Sequence, residues 1–276
     1  MHIVKVPYFR GSLGKNIGCE KAPDFLAENG ELVLVNQNNV DETMKAIAEM
    51  KGDFFIGGDH SITYGSFNGF TRSYKNPGLI VFDAHPDAEV TSNSVTHEDF
   101  LRKLVEDGVL KKENIILIGI RAISKNEKEF IKGMHVFTME QLFRNEEEVC
   151  DSLMEISQSF DAVYLSVDID VLDPAFAPGT GYLEPGGLSV SELLYFLRRL
   201  RNLRHLKRVD LVEINPDKDL NGMTINIGKK ILEVFEYIFL PDWNKYKINF
   251  LQTLLYLLHL TLLHVKYLGI EFYKSL

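Results

Sequence analysis

The densest chemistry in the chain lies in Val81-Phe82-Asp83-Ala84-His85-Pro86-Asp87, where an apolar run over 79–82 leads straight into Asp-x-His-x-Asp. Side chains of an extended strand alternate faces with period two, so this spacing predicts Asp83, His85 and Asp87 on one side of a chain leaving a buried strand. Two carboxylates and an imidazole are costly to desolvate together unless a cation neutralises them. The bland alternative is a solvated acidic loop. Three further stretches repeat the grammar. The run 54–56 delivers Asp59 and His60 in Gly57-Gly58-Asp59-His60-Ser61; 162–167 delivers Asp168 and Asp170; 209–212 delivers Glu213. One such end is chance, but four are hard to read as solvated loops if they share an edge of one sheet.

Two imidazoles (His60, His85) and four carboxylates (Asp83, Asp87, Asp168, Asp170) exceed the needs of one tetrahedral zinc. They suit two divalent ions of intermediate hardness bridged by carboxylates, with manganese the natural candidate. Ions ~3.5–4 Å apart acidify a bridging water toward hydroxide near neutral pH, a reagent for electrophilic carbon or phosphorus. Glu213 stands apart from these pairs and suits a bidentate grip on a planar guanidinium, against the alternative of a structural salt bridge.

The elements that must position these groups alternate. Strands are expected at 3–6, 32–35, 54–56, 78–82, 115–120, 135–137, 162–167 and 208–212. The run 32–35 reads as buried on both faces. Helices are expected at 23–29, 41–50 capped by Asp41, a segment opened by Thr96 with Asp99 three residues on, 124–132, 139–143 capped by Thr138, 146–160, 189–200 and 226–239. Strands interleaved with helices imply a parallel α/β sheet with helices on both faces, and ligands in such sheets bind beyond the strands' carboxyl ends. The glycines at 57 and 58 are expected to let the backbone turn sharply toward a ligand.

With 276 residues, 45% of them hydrophobic, the chain can bury one large α/β core. Its net charge of −9 excludes the basic footprint of a nucleic-acid binder. Two cysteines, Cys19 and Cys150, form no CxxC pair, which points to a reducing, cytoplasmic compartment. The first residues hold no long apolar run, so no secretory signal is expected.

Four linked motifs resemble the ureohydrolases, that is arginase, agmatinase and relatives. They are Gly57-Gly58-Asp59-His60-Ser61, Asp83-Ala84-His85-Pro86-Asp87, Ser166-Val167-Asp168-Ile169-Asp170-Val171-Leu172-Asp173-Pro174 with Pro178-Gly179-Thr180-Gly181, and Glu213-Ile214-Asn215-Pro216. The resemblance covers about residues 3–237. It implies a three-layer α/β sandwich around a mostly parallel, eight-stranded sheet, and a hydrolase with two Mn2+ per subunit that releases urea. It implies His60, Asp83, Asp87 and Asp168 around one ion, and His85, Asp83, Asp168 and Asp170 around the other, with Asp83 and Asp168 bridging. Asp87 would orient the hydroxide, Glu213 would hold the guanidinium, and His97 sits where the family has a proton-shuttling histidine, although Glu98 replaces the commoner following glycine.

The loop 88–96 is expected to decide the substrate. Ser92, Asn93 and Ser94 suit a carboxylate, and Glu89 suits an amine. Gly18-Cys19-Glu20-Lys21-Ala22-Pro23 leans the reading toward arginase, ahead of agmatinase or a formimino- or guanidino-acid hydrolase. The division expected is a hydrolase domain over 1–239 and an apolar helical extension over 240–276. Within that extension 248–265 is near membrane-span length but carries Asn249, Gln252, Thr253, His259 and His264, which favours packing on protein over a membrane contact. A homo-oligomer, trimer or hexamer, is what the resemblance suggests. The alternative of another class is an inactive metal-binding homologue serving as an oligomeric scaffold.

Overall fold

Residues 1–236 are described in a computed structural model. In chain order they form β1 (Ile3–Val6), α1 (Ala22–Leu26), β2 (Glu31–Leu32), α2 (Val40–Glu49), β3 (Phe54–Gly57), α3 (Ile62–Thr71), β4 (Pro77–Phe82) and α4 (Phe100–Glu106). Then follow β5 (Ile115–Ile120), α5 (Lys125–Phe130), β6 (His135–Thr138), α6 (Met139–Arg144), α7 (Glu146–Ser157), β7 (Ala162–Asp168), α8 (Val190–Leu200), β8 (Leu206–Val212) and α9 (Met223–Phe235). The eight strands make one sheet in the order β2-β1-β3-β8-β7-β4-β5-β6, and every pairing is parallel.

Alternate residues of the strands feed two cores. On one face Phe55, Leu79, Val81, Leu117 and Tyr164 pack with Met44 and Ile47 of α2, Phe67 and Phe70 of α3 and Leu101 and Leu104 of α4. On the other, Phe54 meets Phe235 of α9 and Phe82 meets Phe196 of α8. Helices therefore cover both faces, as the three-layer expectation requires. Strands β5 and β7 are buried throughout their length, which is why they read as apolar runs.

Several local expectations are corrected. The run 32–35 is not a doubly buried strand. Only Glu31 and Leu32 pair, at the sheet edge; Val33 turns to the core while Leu34 is 86% exposed. Helix α2 is capped by Asn39, whose side chain accepts from the Glu42 N–H, rather than by Asp41. Helix α4 starts at Phe100, and Asp99 reaches back to the Thr96 N–H at 2.6 Å. Helix α9 begins at Met223, three residues before the expected start. Helix α3 has no counterpart in the sequence reading, because Gly65 and Gly69 depress helix propensity. Their role is tertiary. A Cβ at Gly65 would lie 2.8 Å from the Met44 carbonyl oxygen, and one at Gly69 2.2 Å from that of Ala48, so the two glycines let α3 lie against α2.

Among the described residues no helix is long and apolar enough to cross a membrane. The expectations for 240–276, the 248–265 stretch included, lie outside the described residues.

Candidate active site

Strands β3, β8, β7 and β4 are consecutive in the sheet, and their carboxyl ends carry the four motifs. His60 Nδ1 lies 3.0 Å from Asp83 Oδ2, 3.0 Å from Asp87 Oδ2 and 3.1 Å from Asp168 Oδ2. His85 Nδ1 lies 3.1 Å from Asp170 Oδ2 and 3.4 Å from Asp83 Oδ1. His60, Asp83 and Asp168 thus form one group with metal-ligand spacing, and Asp83, His85 and Asp170 a second. Asp83 joins them, one oxygen turned to each histidine. Asp168 takes part in the first group through Oδ2, while its Oδ1 accepts the Asp170 N–H at 2.8 Å.

The side chains converge, though not by strand alternation. Strand β4 ends at Phe82, the His85 N–H folds back onto Asp83 Oδ1 at 2.7 Å, and Asp87 adopts a left-handed φ of 48°. After β7 the chain enters a 3-10 turn over Ile169–Val171, in which the Asp168 side chain accepts the Asp170 N–H. Glu213 is also left-handed, at φ 65°. Non-glycine residues in this region carry strain that the surrounding contacts must hold, and such strain gathers at functional sites. The paired glycines before His60 have no positive φ; what they permit is a close approach of protein backbone. A Cβ at Gly58 would lie 1.8 Å from the Tyr8 carbonyl oxygen, to which the Asp59 N–H bonds at 3.0 Å.

The donor set fits a pair of divalent ions. His60 Nδ1 and Asp83 Oδ2 are buried, and neither has a partner with hydrogen-bonding geometry despite their close approach. Burial, followed by the charges of Asp170 and Asp83, raises the Asp168 carboxyl well above the ordinary range; burial and Asp83 raise Asp170. Burial and the charge of Asp83 push Asp87 up to about 7. Burial acts against the charge on Asp83 too, but His60 and His85 outweigh it and hold Asp83 low. Four carboxylates in such a space call for positive charge, which histidine-and-carboxylate sites of this kind draw from metal ions.

A hydroxyl relay sets the orientation of His60. Asp210, fully buried in β8, accepts from Tyr164 OH at 2.5 Å and Thr63 Oγ1 at 2.7 Å on one oxygen, and from Ser166 Oγ at 2.6 Å on the other. Ser166 Oγ lies 2.9 Å from His60 Nε2. A hydroxyl has one hydrogen, and Ser166 commits it to the carboxylate. Ser166 must then accept from His60, which places the ring proton on Nε2 and turns Nδ1 to the carboxylates. Fixing the tautomer of a ligand histidine is a common task of such outer contacts.

Glu213 lies beside this cluster. Its Oε1 accepts the His60 N–H at 2.8 Å and meets His97 Nδ1 at 3.1 Å; its Oε2 accepts Asn16 Nδ2 at 2.6 Å. Burial works against both charges of the pair, yet their attraction prevails, lowering Glu213 and lifting His97 to about 9. His97 is 4% exposed, and its Nε2 has no partner.

A cavity of about 340 Å³ opens over these groups. His85, Asp87, Asp168 and Asp170 reach it from the clusters; His97, Tyr182 and Glu213 wall it; Glu89, Glu98 and Glu184 also line it. Ser92, Asn93 and Ser94 do not. They are exposed, the Ser92 hydroxyl bonds the Ser94 carbonyl, and the Ser92 N–H bonds Asp99 Oδ2 at 3.0 Å. Ser92 is thus held within its own loop, and none of the three lines the cavity.

Sequence reasoning passed over Asn16, Ser166, Tyr182, Asp210 and Arg121. Asn16 comes from a polar loop with no motif. Asp210 sits mid-strand, where a buried acid with three hydroxyl partners is the only signal, and those partners are scattered in sequence. Arg121 donates to the carbonyls of Gly119, Asp170, Val171, Leu172 and Glu184, tying the Asp170 turn to the Glu184 loop.

With the geometry in place, comparison with known proteins is informative. The family model described as "Arginase family" matches residues 10–236. An arginase of Staphylococcus aureus (strain COL) is 35% identical over 223 residues, 74% of each chain. The crystal structure of arginase from Bacillus subtilis superposes with a TM-score of 0.76 at 26% identity, covering 85% of this chain and 97% of that one. The agmatine ureohydrolase of Thermoplasma volcanium superposes with a TM-score of 0.72 at 25% identity, covering 84% and 87%.

Proposed function

The chain belongs to the arginase family, and from that premise we propose that it is a manganese-dependent hydrolase that cleaves a C–N bond at the central carbon of a guanidino substrate and releases urea. The observation that carries the reading is the pair of ligand groups sharing Asp83 at the floor of one cavity. His60, Asp83, Asp87 and Asp168 would hold one ion, and His85, Asp83, Asp168 and Asp170 the other. When bound, two such ions supply an acidified water and positive charge for the developing tetrahedral centre.

The chain's own residues do the rest. Asp87, beside Asp83 and facing the cavity, orients the attacking water by accepting one of its hydrogens. Glu213 is the anion that holds the guanidinium. Three donors already occupy its oxygens, so a two-point grip requires the His97 ring to swing away from Oε1. That motion frees His97 to carry a proton. As water adds to the carbon and the C–N bond breaks, the departing nitrogen gains a proton and leaves as an amine, with urea as the other product. His97 lines the cavity where that proton is needed, and its buried Nε2 has no hydrogen-bond partner.

A reducing, cytoplasmic setting and a homo-oligomer, trimer or hexamer, belong to the same reading; Cys19 and Cys150 are both free and buried. Urea release by the purified chain with and without Mn2+ tests it, with arginine, agmatine and guanidino acids as substrates. Metal-dependent urea from any of them supports the reading. Two ions bound per chain with no urea from any guanidino substrate would overturn it in favour of the scaffold alternative.

A further inference from the structure

Resting on the hydrolase reading, we infer that the end of the substrate remote from the reacting guanidinium carries a positive charge, and that Glu89, Glu98 and Glu184 select it. Among the described residues no lysine or arginine lines the cavity. Outside the lining, the Arg121 guanidinium is taken up by five backbone carbonyls, and Arg102, near Glu89, donates to the Ala88 carbonyl at 2.8 Å. Of the carboxylates beyond the ligand groups, Glu127 is committed to the N–H groups of Ala88 and Ser124, and Glu213 to His60, Asn16 and His97. Glu89, Glu98 and Glu184 remain, and each is partly exposed to the cavity.

These three acids share one part of the wall. The Glu89 N–H bonds the Glu98 carbonyl at 2.9 Å, so their side chains leave adjacent backbone. Tyr182 donates to Glu98 at 2.6 Å while its ring lies 5.6 Å from that of His97 and 5.2 Å from that of His85. Glu184 reaches to 3.7 Å from His85 Nε2. An independent mark of a ligand is Nε2 of His97, a side chain 4% exposed that lines the same space; this nitrogen has no hydrogen-bond partner, Glu98 Oε1 standing off at 3.9 Å. His97 Nδ1 is held by Glu213, its Nε2 lies 3.9 Å from Glu98, and Arg102 is close enough to Glu89 to lower its carboxyl, yet the lining still carries more carboxylates than cations.

A carboxylate entering this space meets like charges and finds its neutral donors engaged, since the Tyr182 hydroxyl serves Glu98 and Ser124 caps α5. An ammonium meets carboxylates of opposite charge, Glu184 and, beside their present donors, Glu98 and Glu89. Like-charge contact in a partly desolvated cleft costs several kcal/mol, and opposite charge also speeds encounter. The substrate class is therefore an alkylguanidine ending in an amine, which reverses the order suggested by residues 18–23.

The test compares 4-guanidinobutylamine, arginine and 4-guanidinobutanoate as substrates of the Mn2+-loaded full chain. They share the guanidinium and its propyl chain and differ at the far end. The amine is expected to exceed both others in kcat/KM by about tenfold or more, chiefly through KM. Glu98→Gln and Glu184→Gln should raise KM for the amine and leave or lower KM for the butanoate, a sign change that general structural damage does not produce. Urea from arginine or the butanoate in preference to the amine overturns this inference and leaves the hydrolase reading standing. If no substrate yields urea the hydrolase reading fails, and calorimetric binding of 1,4-diaminobutane against 4-aminobutanoate decides the charge preference. Tighter binding of the diamine supports it, and equal or weaker binding overturns it.

Discussion

Replacing Ser166 with alanine removes a single oxygen and tests how the site is built. That oxygen lies 2.6 Å from Asp210 and 2.9 Å from His60 Nε2, all within a fully buried layer. The variant leaves two groups short: the His60 Nε2–H has no acceptor, and one oxygen of Asp210 has no donor. A buried polar group without its partner costs about 1–3 kcal/mol. Asp210 keeps Tyr164 and Thr63 on its other oxygen, so the sum should fall near 2–4 kcal/mol of folding stability. The larger effect is on metal retention. Without Ser166 nothing fixes the ring proton on Nε2, and a proton on Nδ1 competes with the metal at that position. Loss of such an outer contact lowers metal affinity by about 10–100-fold. Denaturation of the metal-free protein measures the first quantity, and calorimetric titration with Mn2+ the second. Tyr164→Phe is the control: it removes one donor to Asp210 but leaves the Asp210–Ser166–His60 contacts in place, so it should cost about 1–2 kcal/mol and leave metal affinity unchanged. Wild-type metal affinity in folded Ser166→Ala, or equal losses of affinity in both variants, would refute the reasoning.

Asp168→Asn should weaken metal retention and nearly abolish urea release; metal analysis after dialysis and a turnover assay check both, and wild-type rates would refute its place as a ligand. Glu213→Gln should mainly lose affinity for the guanidinium, seen as a fall of tenfold or more in kcat/KM, of the order expected for a buried charge pair. Gly58→Ala should cost about 4 kcal/mol or more, or prevent folding, because its methyl group would overlap the Tyr8 carbonyl; thermal denaturation measures it. Metal affinity should rise with pH. Burial and neighbouring acids raise Asp168 and Asp170 and lift Asp87 to about 7, so Asp87 holds a proton below that pH that an entering ion must displace. The affinity is therefore lost as pH falls through about 7, and calorimetry in buffers of different ionisation enthalpy should count the protons released.

The sequence by itself determined the class of fold and the candidate ligands. Apolar runs at β4 and β5, and at β7 interrupted by Ser166, read as strands buried on both faces, and alternation with helices makes the sheet parallel; the run 32–35 reads the same way and does not keep that burial. Acidic and histidine residues placed at four strand ends were legible as candidate ligands because no core tolerates them elsewhere without compensation. Tertiary structure alone decided that β3, β8, β7 and β4 are neighbours, since strand order depends on which helix packs on which face and not on local pattern. It also decided the bends that bring Asp87 and Asp170 to their histidines, the left-handed backbone at Glu213, and helix α3, whose glycines have meaning only against α2. Asn16, Asp210 and the acids of the cavity wall stayed hidden for the same reason. Each acquires its role from a partner distant in the chain, and that distance closes only when the core packs.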